Sequence, residues 1–149
     1  MDDIDRKILG TIQSDFPLSR RPYRDLSDRL GLPEEEIFGR VERLKKDGII
    51  RRIGGSFDSR CLGFTTTLCA AKVPDNRITL FVEEVNKYPG VTHNYLREHE
   101  YNIWFTLVVT DWREVDRLIG EIIQSTGVRE VINLPATRTY KVLVDFELA

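Results

Sequence analysis

The sequence predicts an α+β chain: an N-terminal winged-type helix-turn-helix followed by a ferredoxin-like βαββαβ domain. Three observations carry this. The N-terminal residues show helical spacing of apolar positions, with Gly31-Leu32-Pro33 as a turn between the last two helices. From Phe64 onward the period changes, and strand-like stretches alternate with helical ones. The stretch Gly90 to Thr110, GVTHNYLREHEYNIWFTLVVT, reads as a hairpin that holds both histidines, His93 and His99. The expected organisation is a helix-turn-helix domain at 1–52, a linker at 53–63 and the second domain at 64–149.

The first helix is expected from Asp2 to Ser14, because Ile4, Ile8 and Ile12 recur every four residues. Asp2 and Asp3 suit its positive N-terminal end. Pro22 near the start of the second helix sits where its missing N–H costs little, and Gly31 is a natural terminator. Leu26 and Leu30 give that helix its inner face. The third helix runs from about Pro33 to Asp47, with Ile37, Val41 and Leu44 inward. In the second domain, Phe64 to Val73 is strand-like. A helix follows Pro74-Asp75 and turns Ile78, Phe81, Val82 and Val85 inward. Asp111 is placed to cap another helix with the core stripe Val115, Leu118, Ile119, Ile122 and Ile123. Val128 to Leu134 is a fourth strand, and Lys141 to Leu148 alternates as a fifth.

In a strand, side chains two apart share a face. Val91, His93, Tyr95 and Arg97 therefore share one face of the first hairpin strand, and Thr92, Asn94 and Leu96 the other. A turn at His99-Glu100 sets Arg97 opposite Asn102, Tyr95 opposite Trp104 and His93 opposite Thr106. Leu96, Ile103, Phe105 and Leu107 then cluster on the far face, and a one-residue slip would scatter both sets. His-Glu is a poor two-residue turn, so a longer loop is compatible. Helices of this fold cover one sheet face, leaving the His/Tyr/Arg/Trp face open. Such a face is either plain solvated sheet or the lining of a site or an interface. Large aromatics favour the second, and a second chain packed face to face would cover them.

Composition narrows the setting. The 149 residues carry a net charge of −2 and a pI near 5.8, so nothing global favours a nucleic-acid partner. Cys61 and Cys69 lack metal-site spacing and read as buried, reduced thiols of a cytoplasmic protein. No apolar run approaches the roughly 18 residues of a membrane span, and the charged start MDDIDRK is no signal peptide.

Residues Asp2 to Gly54 resemble the N-terminal half of the Lrp/AsnC family, above all in Ile4-Asp5-Arg6-Lys7-Ile8-Leu9, Arg40-Val41-Glu42-Arg43-Leu44 and Gly48-Ile49-Ile50. The resemblance implies a ferredoxin-like ligand-binding domain that dimerises through its sheet. Two features depart from a transcription regulator. The recognition helix begins Pro33-Glu34-Glu35-Glu36, where phosphate contacts call for cations. The run His93-Asn94-Tyr95-Leu96-Arg97, His99 and Tyr101-Asn102-Ile103-Trp104-Phe105-Thr106 resembles the siroheme decarboxylase branch of the superfamily.

That resemblance implies loss of two acetate carboxylates of siroheme as CO₂, giving 12,18-didecarboxysiroheme in heme or heme d1 biosynthesis. It implies no cofactor beyond the iron tetrapyrrole itself, and a homologous subunit or a second copy as partner. Specific DNA binding is not expected. Expected catalytic residues are His93, Tyr95 and His99, with His93 either a general acid or an axial ligand to the iron. Expected substrate-binding residues are Arg51, Arg52, Arg97, Asn102 and Trp104, the cations answering the carboxylates of the macrocycle. Arg138 and Lys141 are weaker candidates of the same kind. A DNA-binding regulator sensing a small molecule or heme is the alternative, and a non-catalytic partner subunit is a third.

Overall fold

The computed structural model of the chain describes residues 1–142 and 146–148. Contacts divide it into two compact units: Met1–Gly55 with Lys141–Ala149, and Ser56–Tyr140.

The first unit is built on α1 (Asp3–Ser14), α2 (Pro22–Leu30) and α3 (Glu34–Lys46). Asp2 caps α1 in a reciprocal box: its carboxylate accepts the Asp5 N–H at 2.8 Å, and the Asp5 carboxylate accepts the Asp2 N–H at 3.0 Å. Gly31 ends α2 at φ +65°, a left-handed conformation that glycine adopts without cost. One inward residue per helical turn produces the core of Ile8, Leu26, Ile37, Val41 and Leu44, closed by Ile50. Among the described residues no strand follows α3 in this unit. The Gln13 amide exchanges hydrogen bonds with the Phe146 backbone at 2.8 and 3.1 Å, which ties the C-terminal segment to α1.

The second unit contains β1 (Thr65–Ala71), α4 (Ile78–Val85), β2 (Val91–Leu96), β3 (Ile103–Val109), α5 (Trp112–Thr126) and β4 (Val131–Leu134). A short 3-10 turn, Asp75–Arg77, leads into α4. The strand order is β2-β3-β1-β4 with antiparallel neighbours, the ferredoxin-like arrangement. Alternation decides which face is buried. Cys69, Ala71, Ile103, Phe105 and Leu107 meet Phe81, Val85, Val115, Leu118 and Ile122 of the two helices in one core. Phe105 to Ala in that core would cost about 3–5 kcal/mol.

Several expectations need correction. Val91 does not share the His93 face. The register shifts between Val91 and His93, so Thr92 is a bulge residue and Val91 packs on the core. Leu96, at the end of the edge strand β2, is 65% exposed rather than part of the core. The hairpin turn is longer than His99-Glu100. The Arg97 N–H donates to the Asn102 carbonyl at 2.8 Å, so Glu98 to Tyr101 form the loop. Cys61 is exposed and only Cys69 is buried, where burial pushes its thiol up to about 12. The expected strand from Lys141 to Leu148 falls partly on 143–145, outside the described residues, and the described part of it is not strand.

Candidate functional site

The register arranges the sheet face turned away from α4 and α5 into rows. One row runs His93, Thr106, Leu68, Leu134 across β2, β3, β1 and β4. The next runs Tyr95, Trp104, Ala70, Ile132. Tyr95, Leu68 and Leu134 are exposed, so this face offers apolar surface beside an imidazole and a phenol. His93 and Tyr95 stack with ring centroids 6.0 Å apart and planes 28° from parallel. The His93 Nδ1 lies 3.0 Å from the Thr92 hydroxyl, a group that can donate or accept.

The hairpin loop forms one end of this face. Trp104 is pinned by its own indole, whose Nε1–H donates to the Tyr101 carbonyl at 2.7 Å. The Arg97 guanidinium lies over that indole, 5.5 Å from the ring centroid, a cation–π contact that orients an otherwise exposed cation. The His99 Nδ1 accepts the Tyr101 N–H at 3.1 Å, and the two rings stack at 6.4 Å. Beyond the Ala70 row, Lys72 holds its ammonium 3.4 Å from Glu100 and 3.9 Å from Glu130, both exposed pairs of little strength.

The sequence-predicted residues thus divide. His93, Tyr95, Arg97 and Trp104 come together on one face, with His99 in the adjoining loop. Asn102 is committed elsewhere: its amide donates to the Val73 carbonyl at 2.8 Å and accepts the Val73 N–H at 2.9 Å, tying the hairpin end to the end of β1. Arg51 and Arg52 are exposed at the end of the first unit. Arg138 lies over the Tyr140 ring at 5.0 Å, and Lys141 is exposed. Thr92 and Lys72 are not candidates from the sequence, and Tyr101 enters there only within the quoted run, without a role. Lys72 shares the strand parity of Leu68 and Ala70, so alternation could have found it. Tyr101 acts through its backbone N–H and carbonyl, which leave no mark in composition, as well as through its ring stacked on His99.

Comparison with known proteins decides the family. Residues 61–141 match the AsnC-like ligand binding domain, and residues 5–51 match the siroheme decarboxylase NirDL-like HTH domain. The siroheme decarboxylase alpha subunit of Desulfovibrio desulfuricans is 55% identical over 99% of this chain and 85% of that protein. That of Nitratidesulfovibrio vulgaris is 51% identical over 99% and 84%. The chain belongs to the siroheme decarboxylase family. A crystal structure of the siroheme decarboxylase NirDL in co-complex with an iron-uroporphyrin III analogue superposes with a TM-score of 0.69 at 35% identity, covering 95% of this chain and 48% of that one.

In this siroheme decarboxylase family member, charged side chains of α3 pair with residues around the starts of α1 and α2 as well as within α3. Arg40 contacts Asp2 at 2.7 Å and both Asp5 and Glu36 at 2.9 Å. Arg43 contacts Asp5 at 2.6 Å, and Glu34 pairs with Arg21 at 3.1 Å. Asp2 is held down to about 2 by its hydrogen bonds from Arg40 and the Asp5 N–H. Burial pushes Asp5 up, but the Asp2 N–H, Arg40 and Arg43 outweigh it, and its carboxyl is lowered overall. Arg40 and Arg43 of α3 are thus both paired with carboxylates of the same unit. Among the described residues no helix is long and apolar enough to cross a membrane.

Proposed function

We infer that the chain is a siroheme decarboxylase subunit that removes two acetate carboxylates of siroheme as CO₂, and that the open sheet face of the second unit is where the macrocycle lies. The observation that carries the activity is identity above half, over essentially the whole chain, to alpha subunits of that enzyme. The placement rests on the face itself. Leu68, Leu134 and Tyr95 give a flat apolar floor, His93 stands in the same rows, and Arg97 and Lys72 lie at its end.

Each decarboxylation breaks one carbon–carbon bond, releases CO₂ and takes up one proton at the exocyclic carbon. The electrons left behind are delocalised into the macrocycle, so no further cofactor is called for. The protein's share is to bind the carboxylates, exclude water and deliver the proton. His93 serves as that acid or as an axial ligand to the substrate's iron; both need a ring nitrogen turned to the face. Tyr95 walls the macrocycle beside it. Arg97 suits a carboxylate because its exposed guanidinium, held over the Trp104 ring, can offer paired N–H donors.

The partner is a homologous subunit or a second copy, covering the exposed apolar rows. Sequence-specific DNA binding is not part of this reading, because the α3 arginines are already paired. Incubation with siroheme under anaerobic conditions, alone and with a homologous subunit, followed by mass spectrometry, tests the activity. Loss of two CO₂ is expected. An unchanged siroheme mass in both reactions, together with a salt-dependent, sequence-selective DNA shift, would favour the regulator instead.

A further inference from the structure

The hairpin loop treats its two histidines differently. We propose that it locks His99 as an Nε2–H donor for a peripheral carboxylate of the tetrapyrrole and bars it from ligating iron, leaving that task to His93 alone. This rests on the functional reading above.

The argument is one of donors and acceptors. The Tyr101 backbone N–H points at the His99 Nδ1 from 3.1 Å. A backbone amide only donates, so Nδ1 must present its lone pair. A neutral imidazole carries one proton, which therefore sits on Nε2. Binding iron through Nε2 would require moving that proton to Nδ1, where two N–H groups would face each other. Nδ1 is itself occupied by the amide. Neither nitrogen is open to a metal while the loop holds, but Nε2–H is an outward donor on an exposed ring. The His93 Nδ1 faces the Thr92 hydroxyl instead, at 3.0 Å. A hydroxyl rotates to donate or accept. His93 can thus hold its proton on Nδ1 and offer an Nε2 lone pair.

Tyr101 and Trp104 are positioning residues in this scheme. Tyr101 N–H fixes the tautomer and its ring stacks on His99 at 6.4 Å. Its carbonyl is fixed in turn by the Trp104 indole at 2.7 Å. Glu98, Glu100 and Arg97 are the charged groups on the same loop, with Lys72 beside Glu100. None of them accepts from or donates to Nδ1, so the tautomer assignment does not depend on their charge.

Two measurements test it, one of them free of substrate. In ¹⁵N-labelled full chain at alkaline pH, nuclear magnetic resonance of the imidazole nitrogens should show His99 with an unprotonated Nδ1 and a protonated Nε2. A His99 in mixed tautomers, or protonated at Nδ1, overturns the lock whatever the protein's function. The second measurement titrates siroheme anaerobically into His99→Asn and His99→Gln. Asparagine places its carbonyl oxygen near the Nδ1 position and keeps the loop, but removes the outward donor. Glutamine restores a donor near the Nε2 position. His99→Asn should bind siroheme about tenfold more weakly, roughly one hydrogen bond to a charged group, with an unshifted Soret band. His99→Gln should recover most of that loss. A shifted Soret band in His99→Asn would mean that His99 is an iron ligand and would overturn the proposal, as would wild-type affinity in that variant. A wild-type chain with no siroheme response would instead remove the functional reading, and the donor role with it, and the resonance data would still decide the lock.

Discussion

Replacing Asp5 with Asn should weaken the helix-turn-helix unit by about 2–3 kcal/mol. The Asp5 side chain is 1% exposed and accepts from Arg40 at 2.9 Å and Arg43 at 2.6 Å, besides the Asp2 N–H at 3.0 Å. Removing one partner of a buried ion pair typically costs about 3–5 kcal/mol. Two features lower that figure here. Arg43 is half exposed and regains water, and Arg40 keeps Asp2 and Glu36. Asparagine preserves shape, so no cavity term is added. Hydrogen exchange read by mass spectrometry resolves the effect by element. Exchange in α1 and α3 should accelerate by roughly 30- to 150-fold at neutral pH, while β1 and β3 keep wild-type protection. The pH dependence has a definite sign. Asp2 and Asp5 both titrate below the ordinary carboxyl value of 3.8 in the folded chain, Asp2 near 2. Their stabilisation is complete above that ordinary value and lost as the pH falls through the folded values. Wild type and variant should therefore converge in acid. Unchanged exchange in α1 and α3 at neutral pH would refute the reasoning, and so would a gap that persists at low pH.

Three further outcomes are expected. Gly90→Ala should lower the melting temperature of the second unit, because a Cβ there would meet the Val108 carbonyl at 2.7 Å; the cost is about 1–3 kcal/mol, and an unchanged transition would show that the strand start yields easily. Leu68→Glu should disperse the assembly, measured by light scattering at micromolar concentration, because it puts a charge in the middle of the exposed apolar row; an unaltered mass would place the interface elsewhere. Arg97→Ala should weaken siroheme binding by about 2 kcal/mol in an anaerobic spectral titration, the low end for losing one partner of a charged pair. Turnover at saturating substrate should change little, and wild-type affinity would remove Arg97 from the site.

Much of the fold was legible because both periods are strong. The hairpin register came out of the sequence with Tyr95 opposite Trp104 and His93 opposite Thr106, since any slip would have exposed Phe105. The bulge at Thr92 was not legible. An extra residue in a strand leaves no compositional mark, and Val91 is apolar enough for either face. The capping box at Asp2 was half visible: the acidic start was noted for the helix dipole, but the expected partner in such a box is Glu or Gln, and here Asp5 fills it. The pairing of Arg40 and Arg43 with Asp5 joins residues 35 and 38 positions apart, which no local pattern reports. Within the candidate site, side-chain types named the chemistry, but orientation needed the backbone. Asn102 reads as a polar group for substrate, and the structure shows its amide bound to Val73; Trp104 reads as substrate-binding, and the structure adds Arg97 over its ring.

The central claim is that the face bearing His93 decarboxylates siroheme, and single-turnover kinetics of His93→Ala test it most directly. Siroheme is mixed anaerobically with the assembled enzyme, and each loss of CO₂ is followed by mass spectrometry. An exposed residue of an edge strand supports little of the core, so the variant should fold as wild type does. Decarboxylation should slow by roughly a hundredfold or more if His93 is the acid, and the Soret band of bound siroheme should shift if it is the axial ligand. A variant with wild-type rate and an unshifted spectrum would contradict the account and move the active site off this face.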